Sequence, residues 1–363
     1  MAPNAVTVSF RLGGDDGVSV EARKWSHALG RLGFTTRRVA GKIEDAPGGD
    51  DVLIPALALD APEPVDRAVL ADALDGADLV IADNICSLPL NVEAARAVVT
   101  ALSSHPGRVV LRHHDLPWQR RGFEALEHEF PPRIERALHA TINLRSRREL
   151  EARGYANVTT VHNYFDLDPS PGDRDATRAH LGFGNDDFVL FQPARAIMRK
   201  NVPGGLRYAH RFAQLAPELA VRYWLSGPAE DGYAPTLERI LERAPVPVIL
   251  GRAPSAVDAY AAADIVVFPS TWEGFGNPIV ESIACRRACA AYPYPVLAEI
   301  RAAGVRVFST ERPEALVKFL GEPEATRAQY FDTNVHRARL SFSLADLPGA
   351  LEQAFAAHGW SSW

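Results

Sequence analysis

The chain is poor in cysteine: only Cys86, Cys285 and Cys289 occur in 363 residues, an odd total without Cys-x-x-Cys spacing. That excludes a disulfide framework and a zinc ribbon and favours a reducing compartment. No run reaches the roughly 18 apolar residues a membrane-spanning helix needs, and the first 30 residues hold no apolar signal segment. A soluble, cytoplasmic protein is therefore expected, with no transmembrane segment. Positive charge is also short, 39 Lys and Arg against 45 Asp and Glu for a net charge of -6, so the field that attracts nucleic acid or anionic membrane is missing. No nucleic-acid partner follows. Arg145, Arg147 and Arg148 form one local basic cluster, read as a solvated helix face or as a site for an anionic acceptor or headgroup. Internal repeats and low-complexity tracts are absent.

What is present is 47% hydrophobic content, ample for two cores in a chain of this length. Short apolar, β-branched runs alternate with amphipathic patterns, which predicts parallel sheets covered by helices on both faces. In the first half strands are expected at 6–10, 51–54, 79–82, 109–112, 141–144 and 158–161. The second half offers 188–191, 221–225, 246–250, 265–268, 288–291 and 305–308. The fold class is thus α/β, two doubly wound domains of about six strands each. A polar stretch from Asp166 to Asp175, bearing Pro and Gly, fits a linker between them. The expected division is 1–165, 166–342 and a terminal helical segment 343–363.

The densest signal is Phe268-Pro-Ser-Thr-Trp-Glu273-Gly-Phe-Gly-Asn-Pro-Ile-Val-Glu281. An apolar strand ends, a glycine-bearing loop follows and a helix begins, so backbone N–H groups around Gly274, Phe275, Gly276 and Asn277 point at whatever sits before that helix. Such a mouth suits an anion or sugar hydroxyls. Arg195 and Lys200 follow another predicted strand and precede a helix, where a planar fork and a point charge can both reach phosphate oxygens. Each taken singly reads as solvated surface. Doubly wound sheets bind ligands at the carboxyl ends of their strands, and every one of these motifs lies just after a strand.

This stretch resembles the "E, seven residues, E" signature of retaining glycosyltransferases of the GT-B fold, in particular the large family 4 group. Phe191-Gln-Pro-Ala-Arg195 with Lys200-Asn201, His114-Asp115, Val161-His-Asn163 and the loop Gly14-Asp-Asp-Gly17-Val18-Ser19 agree with it, so the similarity runs from about residue 5 to about residue 305. It implies two Rossmann-like domains facing a central cleft, an amino-terminal acceptor side, a carboxyl-terminal side that binds the nucleotide sugar, and a terminal helix that returns to the first domain. It further implies catalytic roles for His114, Glu273, Arg195 and Lys200. The donor diphosphate falls to Arg195, Lys200, Gly276 and Asn277, and the donor sugar to His114, Glu273 and the loop Gly274 to Asn277. Glu281 would take the ribose, and Gly251 with Arg252 the base. The loop Gly14, Asp15, Asp16 and Gly17 would meet the acceptor or the phosphates. Which of His113 and His114 acts is left open.

The expected reaction moves a hexosyl group from a nucleoside-diphosphate sugar to a hydroxyl of a small polar acceptor, with retention. No cofactor and no metal are implied, since the cations and the helix start can offset the phosphate charge and no Asp-x-Asp cluster stands among the second-half motifs. An epimerase or phosphorylase of the same fold, or a non-catalytic nucleotide-sugar binder, are the competing readings.

Overall fold

A computed structural model describes residues 2–360. Contacts divide the chain into two units, one formed by residues up to Tyr164 together with those from Leu344 onward, the other by Phe165–Ser343. Met1 and the last three positions of the expected 343–363 segment lie outside the described residues.

The first unit carries seven parallel strands: β1 (Asn4–Leu12), β2 (Thr35–Ile43), β3 (Val52–Leu53), β4 (Leu79–Asp83), β5 (Arg108–His113), β6 (Leu138–Thr141) and β7 (Val158–Thr160). Their order is β3-β2-β1-β4-β5-β6-β7, so strand order reverses between β1 and β4. β4 is buried throughout, which explains its continuous apolar run Leu79 to Ala82. Helix Gly17–Arg31 follows β1 and buries Trp25, Ala28 and Leu29 in a core shared with Leu347, Leu351 and Phe355 of the last helix, Leu347–Ala357.

The second unit repeats the plan with β8 (Asp187–Gln192), β9 (Ala220–Leu225), β10 (Val248–Leu250), β11 (Ile265–Phe268), β12 (Ala288–Ala291) and β13 (Phe308–Ser309). All its pairings are parallel in the order β10-β9-β8-β11-β12-β13, and the reversal falls between β8 and β11. One sheet face packs Leu190, Tyr223 and Leu225 against Leu206, Ala209 and Phe212 of helix Val202–Leu215. On the other face Phe191 and Trp224, register neighbours on β8 and β9, stack at 4.1 Å. The chain enters and leaves this unit side by side, because Phe165 N–H donates to the Phe342 carbonyl at 2.8 Å.

Several expected strands are displaced. The one placed at 141–144 lies at Leu138–Thr141, since Asn143 accepts from Ser146 N–H at 2.6 Å and caps helix Leu144–Ala152 instead. β10 loses its first two expected residues, of which Pro247 has no N–H for the ladder. At 305–308 the Arg306 backbone is taken by side chains of helix Glu324–Phe342: Asn334 accepts from its N–H, and Tyr330 and Asn334 donate to its carbonyl. β2 was not expected; its Thr-Thr-Arg-Arg start is exposed or half-buried and hides the alternation. The stretch Asp166 to Asp175 is no free linker, for Asp173 N–H donates to Asp258 at 2.8 Å and Asp173 caps helix Arg174–Leu181.

Candidate active site

The reversal between β8 and β11 opens a crevice at the strands' carboxyl ends, and two loops meet there. After β8 the chain passes Arg195 and makes a single helical turn, Met198–Lys200. Asn201 then adopts a left-handed conformation, φ 52°, from which its side chain caps helix Val202–Leu215 by accepting from Gly204 N–H at 3.1 Å. The same side chain donates to the Pro269 carbonyl at 3.1 Å, and Thr271 N–H donates to the Arg199 carbonyl at 2.9 Å. Gln192, buried at the end of β8, donates to the Lys200 carbonyl at 2.7 Å. These bonds fix the lysine-bearing turn against the glutamate-bearing loop.

Glu273 is the centre of that arrangement. Lys200 Nζ lies 2.6 Å from its Oε1, and Arg199 Nη1 lies 2.9 Å from its Oε2. The Glu273 side chain is 11% exposed and that of Lys200 12%, so the ion pairs are largely withdrawn from water. Burial pushes the Glu273 carboxyl up, but Lys200 first and Arg199 next outweigh it and hold the group at about 2. For Lys200 the balance runs the other way: burial, with repulsion from Arg199 and Arg195, outweighs Glu273 and leaves the ammonium below its ordinary range. An anion entering here would relieve that cation crowding. Arg195 is set further out, paired with Glu230 at 2.5 Å and about one third exposed.

The loop after Glu273 is shaped by its glycines and aromatics. Gly276 has φ 117°, and a Cβ there would overlap the Tyr294 hydroxyl. That hydroxyl donates to the Phe275 carbonyl at 2.8 Å. Phe275, expected among the sugar-contacting residues, turns its ring inward against Phe165 and Phe342, so it can offer a ligand only backbone. Asn277 opens helix Asn277–Ala284 with Pro278 behind it, a position where the missing N–H costs nothing. Glu281 lies on the same helix and accepts from Tyr260 Oη at 2.6 Å. Gly251, φ 156°, directly follows β10, and its carbonyl accepts from Trp224 Nε1 at 2.8 Å.

Arg195, Lys200, Glu273, Gly274 to Asn277, Glu281, Gly251 and Arg252 thus all belong to the second unit, whereas His114 and the Gly14 to Gly17 loop belong to the first. There, His114 Nε2 donates to Asp83 Oδ1 at 2.8 Å, and Asp83 also receives Arg112 Nη1 at 3.1 Å. Burial raises the Asp83 carboxyl, yet Arg112 and then His114 bring it below its usual range. His113 points elsewhere, its Nδ1 2.5 Å from Ser87 Oγ and its Nε2 3.0 Å from His139 Nδ1. Both of those imidazoles are held neutral by burial, His139 at about 4 and His113 well below its ordinary value. After β1, Gly13 takes φ 82°, and Asp16 spends its carboxylate capping the following helix through Val18 and Ser19 N–H. Gly14 is buried, with the Arg23 guanidinium donating to its carbonyl at 2.8 Å; Asp15 and Gly17 are exposed.

Sequence reasoning overlooked Arg199, Glu230, Gln192 and Tyr260. Arg199 was signalled only by adjacency to Lys200; the others depend on which side chains the sheet brings together. Among the described residues no group of three or more His, Cys, Asp or Glu side chains is arranged to hold a metal ion. No described helix is long and apolar enough to cross a membrane. The Arg145 and Arg147 side chains make i,i+4 pairs with Glu149 and Glu151 along one helix.

Residues 196–322 match the family described as glycosyl transferases group 1, a segment that contains Lys200, Gly251, Glu273 and Glu281 and starts just after Arg195. Over 80% of this chain and 82% of the relative, the sequence is 24% identical to the mannosylglucosylglycerate synthase of Petrotoga mobilis. The Thermotoga maritima protein of the same name is 25% identical, with 83% of each chain covered. The crystal structure of Anabaena HepE in complex with UDP and glucose superposes with a TM-score of 0.70 at 19% identity, covering 98% of this chain and 100% of that one. These likenesses establish two Rossmann-like domains of the GT-B type and support a glycosyltransferase.

Proposed function

We propose that the protein is a retaining, family 4 type glycosyltransferase that moves a hexosyl group from a nucleoside-diphosphate sugar to a hydroxyl of a small polar acceptor. The observation that carries this reading is the convergence of Lys200 and Arg199 on Glu273 at the β8–β11 reversal, beside the helix start at Asn277. Cleaving the bond between the anomeric carbon and the diphosphate leaves negative charge on the phosphate and positive character on the sugar. Lys200 and Arg195 would stabilise the first, joined by the N–H groups before helix Asn277–Ala284. A dipole of that kind contributes about 0.3 to 2 kcal/mol, so the cations must carry more.

Glu273, ionised over the whole physiological range because its carboxyl sits at about 2, would accept from donor-sugar hydroxyls and steady the cationic carbon. Glu281 would bind the ribose hydroxyls, and Gly251 with Arg252 would border the base. From the first unit, His114 is the histidine assigned to the donor sugar: its tautomer is fixed by Asp83, while His113 is engaged with Ser87 and His139. The acceptor oxygen would attack on the face the diphosphate leaves, giving it its proton as the new glycosidic bond forms. Acceptor binding is assigned to the first unit and its Gly14 to Gly17 loop. A small polar acceptor accords with the names of the Petrotoga and Thermotoga relatives, and a nucleotide-sugar donor with the UDP and glucose of the HepE complex.

The protein would act in the cytoplasm, where nucleotide sugars are made available, and would require no cofactor. Purified protein offered UDP-, GDP- and ADP-sugars with glycerate-type and polyol acceptors should release nucleoside diphosphate, and the product's anomeric proton coupling should match the donor's. Inverted coupling would refute retention. Donor binding without turnover across the acceptor panel would favour the non-catalytic binder.

A further inference from the structure

On the sheet face opposite helix Val202–Leu215, four aromatic rings form one continuous row of contacts. Phe183 meets Trp224 edge-on at 5.7 Å, Trp224 stacks on Phe191 at 4.1 Å, and Phe191 meets Tyr260 edge-on at 5.7 Å. Trp224, Phe191 and Tyr260 are each at most 2% exposed. Packing alone would be served by phenylalanine at every position. Two of the rings instead carry a polar atom, and each of those atoms is spent on a residue of the crevice. Trp224 Nε1 donates to the Gly251 carbonyl at 2.8 Å, and Tyr260 Oη donates to Glu281 Oε2 at 2.6 Å.

Each bond has a mechanical consequence. Gly251 sits at φ 156° with no side chain of its own, so its carbonyl orientation is set by what it bonds. Glu281 is a half-buried side chain on a helix, with three rotatable bonds and an entropy cost when a ligand must immobilise it. A buried phenol bonded to one carboxylate oxygen removes much of that cost beforehand. Burial, and then the neighbouring Glu281 charge, keep the phenol protonated far above its ordinary range, so it remains the donor.

From this geometry we infer that Tyr260 and Trp224 are the positioning residues of the nucleoside half of the donor site. Tyr260 presets the Glu281 carboxylate for the ribose, Trp224 presets the Gly251 turn for the base, and the Phe191 ring between them holds both at a fixed separation. The inference rests on the proposed ribose role of Glu281, and its test separates the two. Because Lys200 and Arg195 serve the phosphates alone, pyrophosphate reports the other half of the site.

The experiment is calorimetric titration of wild type, Tyr260→Phe, Trp224→Phe and Glu281→Gln with the 5′-diphosphates of uridine, guanosine and adenosine. The tightest of these is then compared with its 2′,3′-dideoxy form, and inorganic pyrophosphate is titrated alongside. Wild type should prefer the ribose form by about tenfold or more, the scale of hydrogen bonds to a charged group. Glu281→Gln should lose that preference, and Tyr260→Phe should lose most of it with pyrophosphate affinity held within about twofold. Trp224→Phe should weaken ribose and dideoxy forms alike. Full ribose preference in Tyr260→Phe, with the preference lost in Glu281→Gln, overturns the positioning role alone. Full preference in Glu281→Gln overturns the ribose reading and the inference with it.

Discussion

Replacing Glu273 by glutamine removes one negative charge while leaving the side chain's size unchanged. A carboxyl held at about 2 in the folded chain, against an ordinary value of 4.5, corresponds to roughly 3 kcal/mol of stabilisation at neutral pH. Glutamine keeps one oxygen to accept from Lys200 or Arg199, so the loss should stay near that value rather than reach about 5 kcal/mol, the upper cost of stranding a buried charge. Because the folded value is the lower one, the stabilisation is fully present above pH 4.5 and is lost as pH falls from there toward about 2. The stability gap between wild type and Glu273→Gln should therefore be roughly 3 kcal/mol at pH 7 and shrink toward zero near pH 2. Urea unfolding followed by pulsed hydrogen exchange on peptides of Phe165–Ser343 isolates this unit from the other. A gap that is absent at pH 7, or that persists unchanged at pH 3, would refute the claim that Lys200 and Arg199 hold Glu273 ionised.

Lys200→Ala should abolish nearly all turnover, by about a hundredfold or more, while circular dichroism remains native-like; wild-type rates in a folded variant would remove Lys200 from the diphosphate site. Arg199→Ala should lower kcat less than Lys200→Ala and raise the Glu273 carboxyl, checked by the acid limb of donor binding. Gly276→Ala should lose donor affinity and stability together, since the new Cβ meets the Tyr294 hydroxyl at a left-handed position, whereas Gly17→Ala, with open space around it, should be far milder in thermal unfolding. In the first unit, His139 and His113 are neutral when folded, so stability should be full above pH 6.5 and decline as pH falls toward about 4. His139→Phe should flatten that decline in hydrogen exchange across β6.

Strand positions in the buried middle of each sheet were legible because continuous apolar runs such as Ile265–Phe268 and Ala288–Ala291 have few alternatives. Strands at or next to an edge were less so: β2, beside edge strand β3, begins with two exposed threonines and two half-buried arginines, β3 and β13 are two residues long, and their limits depend on partners distant in sequence. Arg195, Lys200, Glu273 and Glu281 were singled out by their resemblance to the E-x7-E and Arg/Lys pattern, on segments that follow predicted strands. What each carboxylate bonds was not readable, since the Arg199–Glu273 and Tyr260–Glu281 contacts span 74 and 21 residues and are set by sheet order. Phe275 was expected to offer its backbone N–H, and where its ring would go was not readable. A motif position identifies a backbone location, while packing against Phe165 and Phe342 decides where the side chain goes.

The first unit is closed by the last helix: Leu347, Leu351 and Phe355 complete the apolar core that Trp25 and Leu29 begin. A ribosome would thus finish the intervening unit, Phe165–Ser343, before it releases the residues that its predecessor lacks. Although translation proceeds from the amino terminus, the later-encoded unit can mature earlier, and the earlier one waits with an uncovered patch until helix Leu347–Ala357 has been made.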